Sequence, residues 1–175
     1  KPIAIAGIIG LENSCVDKNT RDLLIESAYF DPVIIRKGAK KLDISTDASK
    51  RFERGVDINN LINSMDMLSA LIQEISGGEI LKGICDVYPK PKDRNKINFK
   101  IDHCNNLLGT NLSISDAKNI FGKLSIDFKE TKKMLECTIP SYRNDLEREV
   151  DLHEEIARVY GYDNISYNQY YTHNQ

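Results

Sequence analysis

The chain has 175 residues, 41% of them hydrophobic, and a formal net charge of −2. That is enough apolar material for one good core or two small ones. It gives no global attraction to nucleic acid, although a local basic patch stays open. No run of 18 apolar residues occurs, which excludes a membrane-spanning helix. The four cysteines, Cys15, Cys85, Cys104 and Cys137, form no CxxC pair and stand beside only three histidines, which argues against zinc. Scattered thiols suit a reducing cytosol, so a cytoplasmic location is expected.

In chain order, Lys1–Gly10 (KPIAIAGIIG) is apolar but too short for a signal peptide. It reads as a strand over Pro2–Ile9 closed by Gly10. A chain that opens inside a strand is expected to be a fragment of a longer polypeptide. Leu11–Arg21 is polar and loop-like, and Leu23–Phe30 reads as a second strand. Asp31-Pro32 places Asp at the N-cap and Pro at the first position of a helix running through Val33–Leu42. Ser45–Asp47 caps a short helix through Arg54, broken by Gly55. Asp57 caps the longest helix, Ile58–Ile75, in which Leu61, Met65, Leu68, Ile72 and Ile75 recur at helical spacing and Gly77-Gly78 ends the run. Met65 and Met67 read as core packing. Glu79–Tyr88 returns as a strand.

Residues 89–96, PKPKDRNK, are proline-broken and charged, without an apolar side chain. They read as a linker. The expected division is residues 1–90, then 91–165, then a polar, tyrosine-rich tail over 166–175 that frays. The second unit reads as a strand (Ile97–Ile101), helices (Cys104–Leu108 and Ser115–Leu124), strands (Ile126–Phe128 and Met134–Ile139), Pro140 and an acidic helix. Two short helices before a two-stranded ribbon outline a winged-helix-like unit. The fold class is α+β.

Residues 141–165 read SYRNDLEREVDLHEEIARVYGYDNI. Asp145, Asp151, Glu154 and Glu155 gather in the first turns of one helix that stops at Gly161. Asp151, Glu154 and Glu155 stand at i, i+3 and i+4 and share a face. A hard cation such as Mg²⁺ would answer their charge. A solvated acidic helix start, with Arg158 answering Glu154 at i+4, fits the same pattern. His153, offset by two from Asp151, reads as a surface residue. Basic residues gather elsewhere: Lys90, Lys92, Arg94 and Lys96, then Lys100, Lys118, Lys123, Lys132 and Lys133. They read as a phosphate-binding face or as a lysine-rich surface. No aromatic residue is interleaved with them, so stacking on a single strand is not indicated.

Two strings carry a resemblance. RNDLEREVDLHEEIARVYGYDNI, from Arg143 to Ile165, resembles the end of the fifth (B5) domain of the beta subunit of bacterial phenylalanyl-tRNA synthetases. LIESAYFDPVIIRKGAKKLDISTDASKRFERGVD, from Leu24 to Asp57, resembles the end of that subunit's editing (B3/B4) domain. The two come in the family's order and, with the segments between them, cover nearly the whole chain.

The resemblance implies proofreading hydrolysis of tyrosine mischarged onto the phenylalanine tRNA. A site built to hydrogen-bond the tyrosine hydroxyl rejects its absence by roughly 10⁴–10⁵-fold. The resemblance gives that role to Glu26, places the Thr46 hydroxyl near the ester, and lets Ala48 leave room for the ring. Gly7 and Gly10 match glycines of the pocket loop, with Leu11 where the family often has a further glycine. A histidine of the family's site lies upstream of Lys1, so the chain alone is expected to carry the specificity carboxylate and little turnover. Arg51, Arg54 and Lys50 flank the pocket segment; some of them are expected to reach the tRNA end, and an ion pair of Arg54 with Glu53 fits the same residues. The resemblance further implies a Mg²⁺ shared with the alpha subunit and held by Asp145, Asp151, Glu154 and Glu155. It implies beta–beta contacts in an alpha2beta2 heterotetramer, and ATP bound by the alpha subunit and not by this chain. The competing readings are a stand-alone nucleic-acid-binding module and a free-standing editing hydrolase.

Overall fold

The computed structural model describes residues 1–89, 91, 93–131 and 134–166. Lys90, Lys92, Lys132 and Lys133 of the basic set, and all but the first residue of the expected tail, lie outside the described residues. The chain divides into two compact units, Lys1–Pro89 and the residues after it. The class is α+β, with helices beside small antiparallel sheets.

The first unit opens with a hairpin of β1 (Ala4–Ile5) and β2 (Ile9–Gly10), paired Ala4 to Gly10 and Ile5 to Ile9. The single strand expected over Pro2–Ile9 is therefore folded back on itself. The reversal is local: Gly7 adopts φ +67°, a left-handed conformation natural to glycine. A 3₁₀ turn, Glu12–Ser14, follows. Residues 23–30 join no β-ladder, although a strand was expected there. β-favouring side chains specify an extended backbone but no neighbouring edge, and Phe30 goes into the core instead.

Helix α1 (Pro32–Leu42) starts as its sequence dictates. The Asp31 carboxylate accepts the Val33 and Ile34 N–H groups at 2.9 and 3.0 Å, with Pro32 at the first position. Helix α2 (Asp47–Phe52) begins in a capping box formed by Thr46 and Ser49. After a 3₁₀ turn capped by Asp57, helix α3 (Leu61–Ser76) runs to Gly77 at φ +73°. A small core of Ile8, Ile35 and Ala39 takes Ile5, Phe30, Ile44 and Phe52 around it. The Phe30 and Phe52 rings meet edge to face at 4.9 Å. α3 buries no residue. Met67 is 77% exposed, so it is not the core-packing residue expected. Residues 79–88, also expected as a strand, join no ladder.

The second unit holds the larger core. Strand β3 (Lys96–Phe99) leads into α4 (Ile101–Leu108), α5 (Ile114–Lys123), β4 (Asp127–Glu130), β5 (Leu135–Thr138) and α6 (Glu149–Tyr160). The sheet order is β3-β5-β4, antiparallel throughout, with Phe99 opposite Leu135 and Phe128 opposite Cys137. Two helices followed by the β4–β5 hairpin match the expected outline, and β3 adds a third strand beside β5. Alternation along β3 and β5 turns Ile97, Phe99, Leu135 and Cys137 inward. They pack on Phe121 of α5 and on Leu152 and Ile156 of α6. Phe99 and Phe121 meet edge to face at 5.0 Å. The fully buried apolar side chains cluster here, which makes this unit a firm base for α6.

Candidate functional site

The expected pocket residues fall in the first unit. Gly7 sits in the β1–β2 turn, where an added Cβ would come within 2.6 Å of Ile35 Cδ1 and 2.7 Å of the Phe30 ring. Both conformation and space hold this position to glycine. Gly10 is different: a Cβ there would meet nothing within 4 Å. Between them, Ile8 is buried, and its carbonyl accepts the Thr46 hydroxyl. The Thr46 oxygen also accepts the Ser49 N–H at 3.0 Å, while the Ser49 hydroxyl accepts the Thr46 N–H at 3.0 Å. The hydroxyl expected near the ester thus ties the glycine turn to the start of α2. Ala48, in the first turn of α2, is exposed and adds no bulk. Glu26 is exposed, and among the described residues its carboxylate makes no hydrogen bond or ion pair. The structure therefore joins Gly7, Ile8 and Thr46, and leaves Glu26 and Ala48 free at the surface of the same unit.

The acidic segment divides into two settings. Asp145 lies before α6, in a turn, and not in the helix as expected. The Arg143 guanidinium grips both its oxygens, Nε to Oδ1 at 2.9 Å and Nη2 to Oδ2 at 2.6 Å, and Nη2 also reaches Glu155 Oε1 at 2.9 Å. The second oxygen of Glu155 accepts from Arg158. Arg158 thus answers Glu155 at i+3 and not Glu154 at i+4. The Arg143 side chain is 19% exposed and that of Glu155 10%. Arg143 holds the Asp145 carboxyl below its ordinary range. Burial pushes Glu155 upward, but hydrogen bonds from Arg143 and Arg158 outweigh it and the net shift is downward.

Asp151 is a helix cap. Its Oδ2 accepts the N–H groups of Glu147 and Arg148 at 2.9 and 2.7 Å, and its Oδ1 pairs with the Arg148 side chain at 3.2 Å. These backbone donors lower its pKa. Glu154 is exposed and, among the described residues, unpaired; it lines a shallow hollow with Leu107, Val150, Asp151 and Tyr162. Consecutive helical residues lie about 100° apart, so Glu154 and Glu155 diverge, one into solvent and one onto the arginines. Among the described residues, no group of three or more His, Cys, Asp or Glu side chains is placed to hold a metal ion. The four carboxylates do not fit a preformed Mg²⁺ site, because three of them already have both oxygens engaged.

His153 is buried, not at the surface. It stacks edge-on against Phe99, and among the described residues neither ring nitrogen finds a hydrogen bond. Desolvation lowers its pKa, opposed by Glu149 at 3.8 Å from Nε2. Glu149 and Arg143 are the residues that pattern reading missed. Glu149 Oε1 accepts the Lys100 N–H at 2.7 Å, at the head of α4, and Oε2 lies 3.2 Å from His103. Neither role has a periodic signal, because each partner comes from another element. Several basic residues are also internally paired: Lys96 with Glu136 at 2.9 Å, Lys118 with Glu130 at 2.6 Å, and Arg94 with Asp127 at 3.7 Å. Among the described residues of the basic set, these three have acidic partners.

Comparison with known proteins decides the family. A B3/4 domain model matches residues 1–77, and a tRNA synthetase B5 domain model matches residues 97–162. The chain is 43% identical over 166 residues to the phenylalanine–tRNA ligase beta subunit of Geobacter metallireducens, covering 94% of this chain and 21% of that protein. It is 44% identical over 166 residues to that of Geobacter sulfurreducens, with the same coverage. It is 45% identical over 169 residues to that of Syntrophus aciditrophicus, covering 94% of this chain and 21% of that protein. The chain belongs to the phenylalanine–tRNA ligase beta-subunit family. It spans about a fifth of the length of the relatives it matches. Gly7, Glu26 and Thr46 fall within the family's B3/4 match, and Arg143 and the acidic residues within its B5 match.

Proposed function

We propose that this chain serves a phenylalanine–tRNA ligase beta subunit in two ways. Residues 1–90 contribute the wall of a proofreading pocket that hydrolyses tyrosine from mischarged phenylalanine tRNA. Residues 91–165 contribute a surface for assembly with an alpha subunit in a cytoplasmic alpha2beta2 enzyme, and for tRNA contact. ATP is consumed by the whole enzyme, in the alpha subunit. The observation that carries the reading is the B3/4-then-B5 order within one near-continuous match to beta subunits.

The geometry supplies chemistry for the first role. Glu26 offers an uncommitted carboxylate, which a tyrosine hydroxyl satisfies and a phenylalanine ring does not. Gly7 and Thr46 hold the neighbouring loop in one position, and hydrolysis by a held water needs positioning and oxyanion stabilisation more than a nucleophilic side chain. For the second role, Glu154 and the hollow beside it are the open features of α6.

The test is Glu26→Ala in the complete beta subunit, assembled with its alpha subunit. Deacylation of tyrosyl- and phenylalanyl-tRNA is compared. The preference for the tyrosyl ester collapses if Glu26 reads the hydroxyl, and an unchanged preference removes Glu26 from that role.

A further inference from the structure

We infer that Arg143 is the resident cation of the acidic segment, bridging Asp145 and Glu155 in the way a divalent ion was expected to.

A guanidinium is planar, permanently charged and forked. Here one side of the fork grips both oxygens of Asp145, and the second hydrogen of Nη2 is directed to Glu155. Asp145 belongs to the turn before α6 and Glu155 to the second turn of the helix itself, so this one side chain staples turn to helix. The staple has a structural consequence. Leu146, next to Asp145, is buried in the core, and its carbonyl accepts the Asn95 side chain at 3.1 Å. Arg143 is thereby a positioning residue for the start of α6.

Charge balance points the same way. Two carboxylates, Asp145 and Glu155, face two guanidiniums, Arg143 and Arg158, and the cluster is neutral. A dication approaching it meets no net negative charge. To reach the oxygens it must break charge-assisted hydrogen bonds, of which the one between Arg143 and Glu155 is largely shielded from water. Asp151 is separately satisfied by two backbone donors and Arg148.

The test uses the full 175-residue chain, with thermal unfolding measured in MgCl₂, in NaCl of equal ionic strength and in EDTA. The wild-type Tm is expected to be the same in all three. Arg143→Gln is expected to lower Tm in EDTA by about 5 °C or more and to regain part of the loss in MgCl₂ but not in NaCl, because an ion now takes the vacated place between the carboxylates. Removing a merely structural side chain would not create a Mg²⁺ response. A wild-type Tm that falls in EDTA and rises in MgCl₂ overturns the inference, and so does an Arg143→Gln protein indifferent to Mg²⁺. Should the Gln variant not fold in EDTA, its folding is measured in MgCl₂ and in NaCl of equal ionic strength: recovery in MgCl₂ alone supports the inference, and any other outcome overturns it.

Discussion

The hydroxyl of Thr46 donates to the main-chain carbonyl of Ile8, a residue 38 positions earlier in the chain. This bond joins the glycine turn of the first hairpin to the cap of α2. Thr46→Val keeps the shape and loses both the cap acceptor and the donor. It should destabilise the chain by about 1 kcal/mol, while Thr46→Ser should stay close to wild type. Urea unfolding of the two variants checks this. A Val variant as stable as wild type would show that the bond contributes nothing.

Glu154 and Glu155 are adjacent but should answer mutation differently. Glu155→Gln leaves Arg143 with Asp145 alone and Arg158 without its charged partner, and should cost about 1–3 kcal/mol. Glu154→Gln should stay within about 0.5 kcal/mol of wild type. If α6 docks an alpha subunit, Glu154→Gln should instead weaken co-purification with it at unchanged Tm. Equal Tm losses for both variants would contradict the geometry.

The thiols should divide in two pairs. Cys15 and Cys85 are exposed, while Cys104 and Cys137 are buried. Burial pushes the Cys104 thiol up to about 11, with Glu149 adding to it, and Cys137 up to about 12. A thiol-reactive dye at mildly alkaline pH should label one pair fast and reach the other only on unfolding. Fast labelling of all four would mean that the second unit's core is open.

Asp116 sits at the head of α5, where the Ser113 hydroxyl and N–H hold its carboxyl below the ordinary value of 3.8. A folded-state pKa below the unfolded one means that the stabilisation is fully present above 3.8 and is lost as pH falls through the lower, folded value. Asp116→Asn should therefore be less stable than wild type at neutral pH, and the two should converge in acid. Parallel stability curves down to the lowest pH would refute this.

Helix starts and stops were legible because caps are local. Asp31-Pro32 and Gly77 act on backbone groups within a turn of themselves; Asp57 does so too, but it caps the 3₁₀ turn Ile58–Asn60 and not the long helix expected from Ile58, which starts at Leu61. The strands expected over 23–30 and 79–88 were not, because a run of β-formers names no partner edge. The carboxylates of the acidic segment were legible as a group, but their counter-ions were not. Arg143 stands in a turn outside the helix, where periodicity has nothing to say. His153 failed for a related reason. Its offset from Asp151 is right, but the buried stripe of α6, Leu152, Ile156 and Ala157, is wide enough to take it in. In the pocket, Gly7 and Thr46 turned out to be joined through Ile8, a residue with no polar side chain to draw attention.

α3 buries no side chain: Ile62, Leu68 and Leu71 are nearly half exposed and Ile75 stands largely in water. A helix takes most of its stability from a packed face, and by itself it is marginal at this length. Its amides should exchange with deuterium almost as they would in a free peptide. The amides of α6, seated on Phe99 and Leu135, should wait for the unit to open. A protease should find residues 61–76 long before it finds 149–160. Within one short polypeptide, the time between exposures of a peptide bond should then differ by orders of magnitude from one helix to another.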